Sequence, residues 1–321
     1  MEMLTLRSVT ARFFNRLEAY LGKGWVNMIS MYFDSDQPYE DYYWLGATPA
    51  VREWKGERLA KGLREAGLRI ENKEFEDTLK FKRRDFKRDK SGQTLIRIDE
   101  LAMRAAEHWS ILLSALIAAG TGSSLGLCYD GHYFFDTDHA EGSSGVQKNL
   151  LVAGDVAQLN VTSATAPTAS EVVDALMGVI AYMLTYKDDQ GQLCNAGARQ
   201  FLVQTTPYLM GPFCKALGSQ FVSTGAGVVD NALSNLKIDG EDFKINLSIN
   251  PRLTWTTQFA VFRVDAPTKP FIRQEEQGVN AQGLGEGSEH AFKNKEYLFG
   301  IDFARNVGFG MWQQAALATF S

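Results

Sequence analysis

The chain has 321 residues, 45% of them apolar and 22% charged, with a net charge of −5. This ordinary globular composition excludes a chain disordered over most of its length, and the acidic balance excludes one that grips nucleic acid by neutralising phosphates over its whole surface. The three scattered cysteines Cys128, Cys194 and Cys214 exclude a disulfide framework or a paired-cysteine zinc site, and the most apolar run, Trp109 to Ala119, is about half of what a bilayer span needs.

Arg7, Arg12 and Arg16 interrupt the apolar residues near the N-terminus, which therefore lacks a signal-peptide core and points to a soluble protein made in the cytoplasm. Val9, Phe13, Phe14, Leu17 and Leu21 recur at helical spacing and predict a short amphipathic helix. The stretch from Tyr32 to Trp44 then mixes aromatic and acidic residues around Pro38. Residues 1–45 read either as an arm lying on another body or as a helix docked on its own domain.

From Gly67 to Lys90 the only large apolar side chains are Ile70, Phe75, Leu79, Phe81 and Phe86, set among dense charges. Read as a hairpin, two strands this polar bury too little surface to stand alone, so a partner surface is implied. Between positions 80 and 90 seven basic residues (Lys80, Lys82, Arg83, Arg84, Lys87, Arg88, Lys90) face two acidic ones (Asp85, Asp89), a basic projection on an otherwise acidic body. Complementary patches of this kind serve self-association. A solvated charged hairpin and a nucleic-acid contact are the alternatives.

Gln93 to Ala119 carries one continuous apolar stripe through Ile98, Leu101, Ala102, Ala105, Trp109, Leu112, Leu113 and Leu116. A helix of this length spans about 40 Å and acts as a strut, with Gly120 and Gly122 expected as its C-terminal caps. Short strands are expected over Leu125 to Phe135 around a tight turn at 129–132, followed by a Gly/Ser-rich loop at 142–145. A second helix is expected from Ser170, the proposed N-cap, to Tyr186, with Val173, Leu176, Val179, Ile180 and Met183 buried. Asp188 to Gly191 turns the chain. Strands are then expected over Phe201 to Thr205, Phe243 to Leu247 and Phe259 to Val264, with a helix near Tyr208 to Gly218. Gly283, Gly285 and Gly287 read as a flexible loop. The whole is mixed α+β.

The most suggestive chemistry lies between Cys128 and His139, where Asp130, His132, Asp136, Asp138 and His139 offer ligands of the types that hydrolytic metal sites use. A metal-dependent hydrolase built on Asp130, His132, Asp136 and His139 is therefore one functional reading. The spacing matches no tight metal motif, and Tyr133, Phe134 and Phe135 suit a half-buried hairpin instead. No zinc-protease helix or P-loop lysine occurs. Gly120 to Gly126 follows a helix and precedes a strand, the reverse of the dinucleotide-binding order.

Several landmarks nevertheless recur in one order: Trp44-Leu-Gly-Ala-Thr-Pro49, the charged stretch, the long helix, Tyr129-Asp130-Gly131 with Phe134-Phe135 and Asp138-His139, Asn149-Leu150, Asp189-x-Gly191, Phe201-Leu202-Val203, and Tyr297-x-Phe299-Gly300-x-Asp302-x-Ala304-Arg305-x-x-Gly308-x-x-x-Trp312. Together they resemble the Mu-like phage major head subunit family. The resemblance implies an HK97-like capsid fold with an N-terminal arm at 1–45, an extended β-hairpin loop at 46–92 and a spine helix at 93–119 within a peripheral domain at 93–168. An axial domain at 169–287 and a C-terminal peripheral part at 288–321 complete it.

It implies no enzyme and no cofactor, but a protein that self-assembles through hexamers and pentamers into an icosahedral head around double-stranded DNA. A cellular nanocompartment shell of the same fold is the near alternative. The implied partners are a separate scaffold protein, a portal and a decoration protein, with no membrane, and the implied places are the virion capsid and the host cytoplasm during assembly. The expected inter-subunit contacts are Phe75, Leu79, Lys80, Phe81, Lys82, Arg83, Arg84, Phe86, Lys87 and Arg88. Leu101, Ala105, Trp109, Leu112 and Leu116 are the expected spine core.

Overall fold

The structure is a computed structural model that describes residues 6–22, 24–46, 67–88, 92–224, 227–233, 236–238 and 240–321. The tip of the expected extended loop, residues 47–66, and Asp89 and Lys90 lie outside the described residues, as does the side chain of Lys87.

The long helix forms over Gln93–Ala119, the bounds its apolar period predicts. Its N-terminal half, with Ile98, Leu101, Ala102 and Ala105, belongs to one apolar core, and its C-terminal half, with Trp109, Leu113, Leu116 and Ile117, belongs to a second, larger one. Of the expected spine core, Leu101, Ala105, Trp109 and Leu116 are buried and Leu112 is partly buried. The helix is therefore a beam joining two cores. Gly120 does not end it as a left-handed cap: it keeps right-handed helical angles, and a Cβ there would sit 2.7 Å from Cδ2 of Phe135. Close approach of that ring is what selects glycine.

The first core is closed by a four-stranded sheet in the order Ser30–Asp34, Phe271–Leu284, Glu296–Phe309, Lys73–Lys82. The first pair is parallel and the other two are antiparallel. The N-terminal helix Leu6–Tyr20 buries Val9, Phe13 and Leu17 against this core, with the Phe13 ring 5.7 Å from that of Phe299. Arg12 grips Asp99 of the long helix through two bonds of 2.8 and 2.6 Å. Of the two readings of the N-terminus, the docked helix is the one the structure shows, because its apolar stripe finds a matching face on its own chain.

The hairpin expectation is corrected. Strand Lys73–Lys82 runs antiparallel to Glu296–Phe309, from Lys73 opposite Arg305 to Lys82 opposite Glu296, while Leu68–Glu71 pairs with Tyr39–Tyr42. Phe75, Leu79 and Phe81 fall at odd positions and so share one face, which rests on the first core. The Phe75 ring stacks 5.7 Å from that of Phe303. Phe86, on the short helix Arg83–Arg88, meets Tyr297 edge-to-face at 5.3 Å. A strand that looks too polar to be held locally is held by a partner more than two hundred residues away.

The second core lies on a five-stranded sheet in the order Lys244–Ile249, Gln200–Thr205, Gln258–Arg263, Ala315–Thr319, Leu150–Leu151. Helices Ala169–Met183 and Met210–Gly218 contribute their apolar faces to it. The former starts at Thr168 instead of Ser170: the Thr168 hydroxyl accepts the Glu171 N–H while the Glu171 carboxylate accepts the Thr168 N–H. This reciprocal capping box holds the Glu171 carboxyl down to about 2, the bonds from Thr162 and Thr168 outweighing the opposing effect of burial.

Leu125 to Phe135 forms no strand, although the expected turn is present, with Cys128 N–H donating to His132 C=O at 2.8 Å and Gly131 at φ +86°. Phe134 and Phe135 are fully buried, and Phe134 stacks 4.8 Å from Phe309. Gly283 and Gly285 are not loop spacers: Gly283 is paired with Phe299 in the long strand, and a Cβ at Gly285 would overlap Leu6. Their missing side chains seat the start of the N-terminal helix.

Candidate assembly surface

The strand Lys73–Lys82 is an edge of the four-stranded sheet. Phe75, Leu79 and Phe81 are covered by the core, while Lys73 and Asp77 and the even positions Glu74, Glu76, Thr78, Lys80 and Lys82 are exposed. A free edge together with a charged outer face can take another chain, by backbone pairing or by charge. At its C-terminal end the chain turns into Arg83–Arg88, and an open cleft of about 620 Å³ forms between Lys82, Arg83, Arg84, Arg88 and the returning segment Asn294–Glu296. Five cations line it, counting Lys295, against the single carboxylate of Glu296. Arg83 is held by Glu286 at 2.9 Å, and Arg84 lies 3.8 Å from Asp85.

The expected contact residues therefore divide. Phe75, Leu79, Phe81 and Phe86 pack on their own chain, whereas Lys80, Lys82, Arg83, Arg84 and Arg88 are exposed. Sequence reasoning missed the far wall of the cleft and Phe292, which is 87% exposed two residues before Asn294. Nothing near position 292 in the sequence joins it to position 84. The signal is a bulky aromatic on a six-residue helix, Glu289–Asn294, of which Ala291 is the buried residue.

At the other end of the strand, Asn72 is bonded to the turn that precedes Tyr39–Tyr42: its N–H donates to Pro38 C=O at 2.7 Å and its side-chain amide to Gln37 C=O at 2.8 Å. That turn carries Asp34, Asp36, Glu40 and Asp41 and no cation, with Tyr39 and Tyr43 exposed. Arg69 bonds Asp41 through both carboxylate oxygens at 2.9 Å, which holds that carboxyl below its usual range, and lies 4.1 Å over the Tyr39 ring.

Beneath the sheet, Arg305 is 1% exposed. Its guanidinium donates to Ala105 C=O at 2.8 Å and to His108 Nδ1 at 3.2 Å, lies 3.6 Å from Glu275, and stacks over Trp109 and Phe303. Burial pulls Arg305 down to about 10; it also pulls His108 down to about 4, with the nearby Arg305 charge adding to the effect. A neutral His108 is what lets Nδ1 accept.

The four hydrolase candidates lie side by side, the His132 and His139 rings 6.0 Å apart, but they are engaged by partners of their own turn. His139 and Asp130 form an internal pair at 2.6 Å, the other ring nitrogen lies 3.2 Å from Asn149 Oδ1, and the imidazole stacks on Trp312 at 4.1 Å. His132 lies on the surface, 3.9 Å from Asp136 and 3.3 Å from Asp138. These three ligand atoms fall within 4.8 Å of one another, but Asp136 already accepts the Tyr133 and Thr137 N–H groups of its own turn. Asp130, His139 and Asp136 are thus engaged in holding this turn together.

The sequence matches the family described as Mu-like prophage major head subunit gpT over residues 5–158 and 237–319. The chain belongs to this family. Residues 159–236, outside the match, include the whole of both helices over the five-stranded sheet. The Mu-like prophage FluMu major head subunit of Haemophilus influenzae is 36% identical over 103 residues, 32% of this chain and 32% of that protein. The major capsid protein of Escherichia phage Mu is 34% identical over 113 residues, 35% of this chain and 36% of that protein. The aligned parts thus span about a third of these curated relatives. Among solved structures, the procapsid of bacteriophage JBD30 superposes with a TM-score of 0.55 at 23% identity, covering 99% of this chain and 77% of that one. The fold of this family member is the HK97-like capsid fold.

Proposed function

We propose that this family member is the major capsid protein of a Mu-like phage head, copies of which build an icosahedral shell. The observation that carries the reading is the family match, which takes in the edge strand, the long helix and the return strand Glu296–Phe309 together. The charged outer face and free edge of Lys73–Lys82 support it, since they give neighbouring copies a surface without disturbing either core. In this reading residues 46–92 form the extended loop, 93–168 and 288–321 the peripheral domain, and 169–287 the axial domain. Lys80, Lys82, Arg83, Arg84 and Arg88 face other subunits, while Phe75, Leu79, Phe81 and Phe86 anchor them from below.

Hexamers and pentamers, a separate scaffold protein, a portal and a decoration protein are the partners this role calls for. The shell encloses double-stranded DNA, and the net charge of −5 suits a wall that holds the genome weakly enough to release it. The protein functions in the virion after assembly in the host cytoplasm. Negative-stain electron microscopy of the purified protein, alone or co-expressed with scaffold, is expected to show hexamers, pentamers or shells. A stable monomer under every condition overturns the reading.

A further inference from the structure

We infer that neighbouring copies join head to tail, the acidic tyrosine-bearing turn at 34–43 of one copy seating in the basic cleft at 82–88 and 294–296 of the next. The inference rests on the shell reading and names the surfaces that carry it. Both surfaces hang on one rigid strand. Asn72, just before it, holds the turn through Pro38 and Gln37, and Lys82, its last residue, enters the cleft wall. Ten extended residues put about 30 Å between them, so a copy cannot fill its own cleft with its own turn.

The chemistry of the two surfaces is complementary. Lys82, Arg83, Arg84, Arg88 and Lys295 meet Asp34, Asp36 and Glu40, with Asp41 already paired to Arg69, and the turn adds the exposed Tyr39 and Tyr43. A nucleic-acid backbone would use the cations alone, whereas every copy of this chain carries an acidic segment out of reach of its own cleft. Different patches at opposite ends make a heterologous contact, which closes into rings when the rotation between copies allows it.

Full-length variants with reversed charge test this. Arg84→Glu with Arg88→Glu reverses two charges at the mouth of the cleft, Asp36→Lys with Gln37→Lys puts two cations at the tip of the turn, and a fourfold variant carries both changes. All these side chains are exposed. Neither double variant is expected to assemble alone, while the fourfold variant assembles like the wild type. An equimolar mixture of the two double variants is expected to assemble with strict alternation. Alternation closes only in even-numbered rings, so the mixture yields hexamers or tubes without pentamers, read by mass photometry and electron microscopy, with circular dichroism confirming folded chains.

Wild-type yield from either double variant, or a mixture of folded variants that stays monomeric, overturns the inference. So does a cleft variant that assembles normally and merely loses retention of double-stranded DNA, which would make the cleft a nucleic-acid seat. Should a variant misfold, zero-length carbodiimide coupling of wild-type particles decides. A link from Lys82 or Lys295 to Asp36 or Glu40 is expected in particles and not in monomer, and its absence among other inter-subunit links is disproof. Wild-type protein that never assembles defeats the shell reading itself, whereas wild-type shells indifferent to these reversals defeat this inference alone.

Discussion

The two sheets of this protein close their cores by different means. In the five-stranded sheet, Gln200–Thr205, Gln258–Arg263 and Ala315–Thr319 bury nearly every residue, and since neighbouring residues point to opposite faces, both faces are covered. In the four-stranded sheet, the edge strand Lys73–Lys82 buries one face only and leaves the other charged. The first sheet also has a half-exposed edge, Lys244–Ile249, but its three inner strands are covered on both faces within a single copy. The second has a face and an edge to spare, and that is where copies of a shell protein can meet without either core being opened.

The sharpest way to break this contrast is to remove the buried charge that ties the second sheet to the long helix. Arg305→Ala leaves Glu275 with the Tyr32 hydroxyl but no cation at 3.6 Å and empties the space between Trp109 and Phe303, and is expected to lower stability by about 3 kcal/mol, measured as a fall in the thermal or urea midpoint. A small loss would mean that the outer sheet is fastened by its apolar contacts alone.

A paired truncation compares the sheets directly. Phe262→Ala in the dry sheet should cost about 3–5 kcal/mol, whereas Phe75→Ala on the half-buried edge should cost well under half of that, by the same denaturation measurement. Equal losses would erase the distinction.

Acid should loosen the two regions in different windows. His108, pulled from 6.5 to about 4, stays neutral in the fold while the unfolded chain takes up a proton, so its contribution is full above pH 6.5 and is lost as pH falls toward 4. Glu171, held at about 2 against an ordinary 4.5, contributes fully above pH 4.5 and loses that contribution as pH falls from there toward 2. His108→Gln is therefore expected to flatten the stability profile between pH 6.5 and 4, and Glu171→Gln only the profile below 4.5. The measurement is the denaturation midpoint against pH.

The smallest effect is expected at the surface clamp of the N-terminal helix. Arg12→Ala removes a partly exposed ion pair with Asp99 and should cost under about 1 kcal/mol, leaving assembly unchanged by light scattering.

Both ends of the long helix were legible because its evidence is local: eight apolar residues at helical spacing lie within Gln93–Ala119 itself. The turn at Tyr129 to His132 was legible for the same reason. Thr168 was missed by two residues because Ser170 is as good a cap by type, and only the side chain that bonds back to the first turn distinguishes them. Gly120 and Gly285 were misread because the rings and side chains that exclude a Cβ there come from Phe135 and Leu6, which no local pattern connects to them.

The candidate surface was half legible. Its charges stand together in the sequence from Lys80 to Arg88, but their other wall, Asn294–Glu296, and their counter-surface at Asp34 to Asp41 do not.

What the sequence alone determined was whatever depends on neighbours in the chain: the helices, the turns, the acidic balance with its one basic stretch, and the family landmarks. Which residues of Lys73–Lys82 lie inside was decided only by the tertiary structure. A strand satisfies its backbone and its apolar face through a partner, and here the partner is Glu296–Phe309. The same long-range pairing that covers Phe75, Leu79 and Phe81 is what leaves Lys80 and Lys82 facing outward.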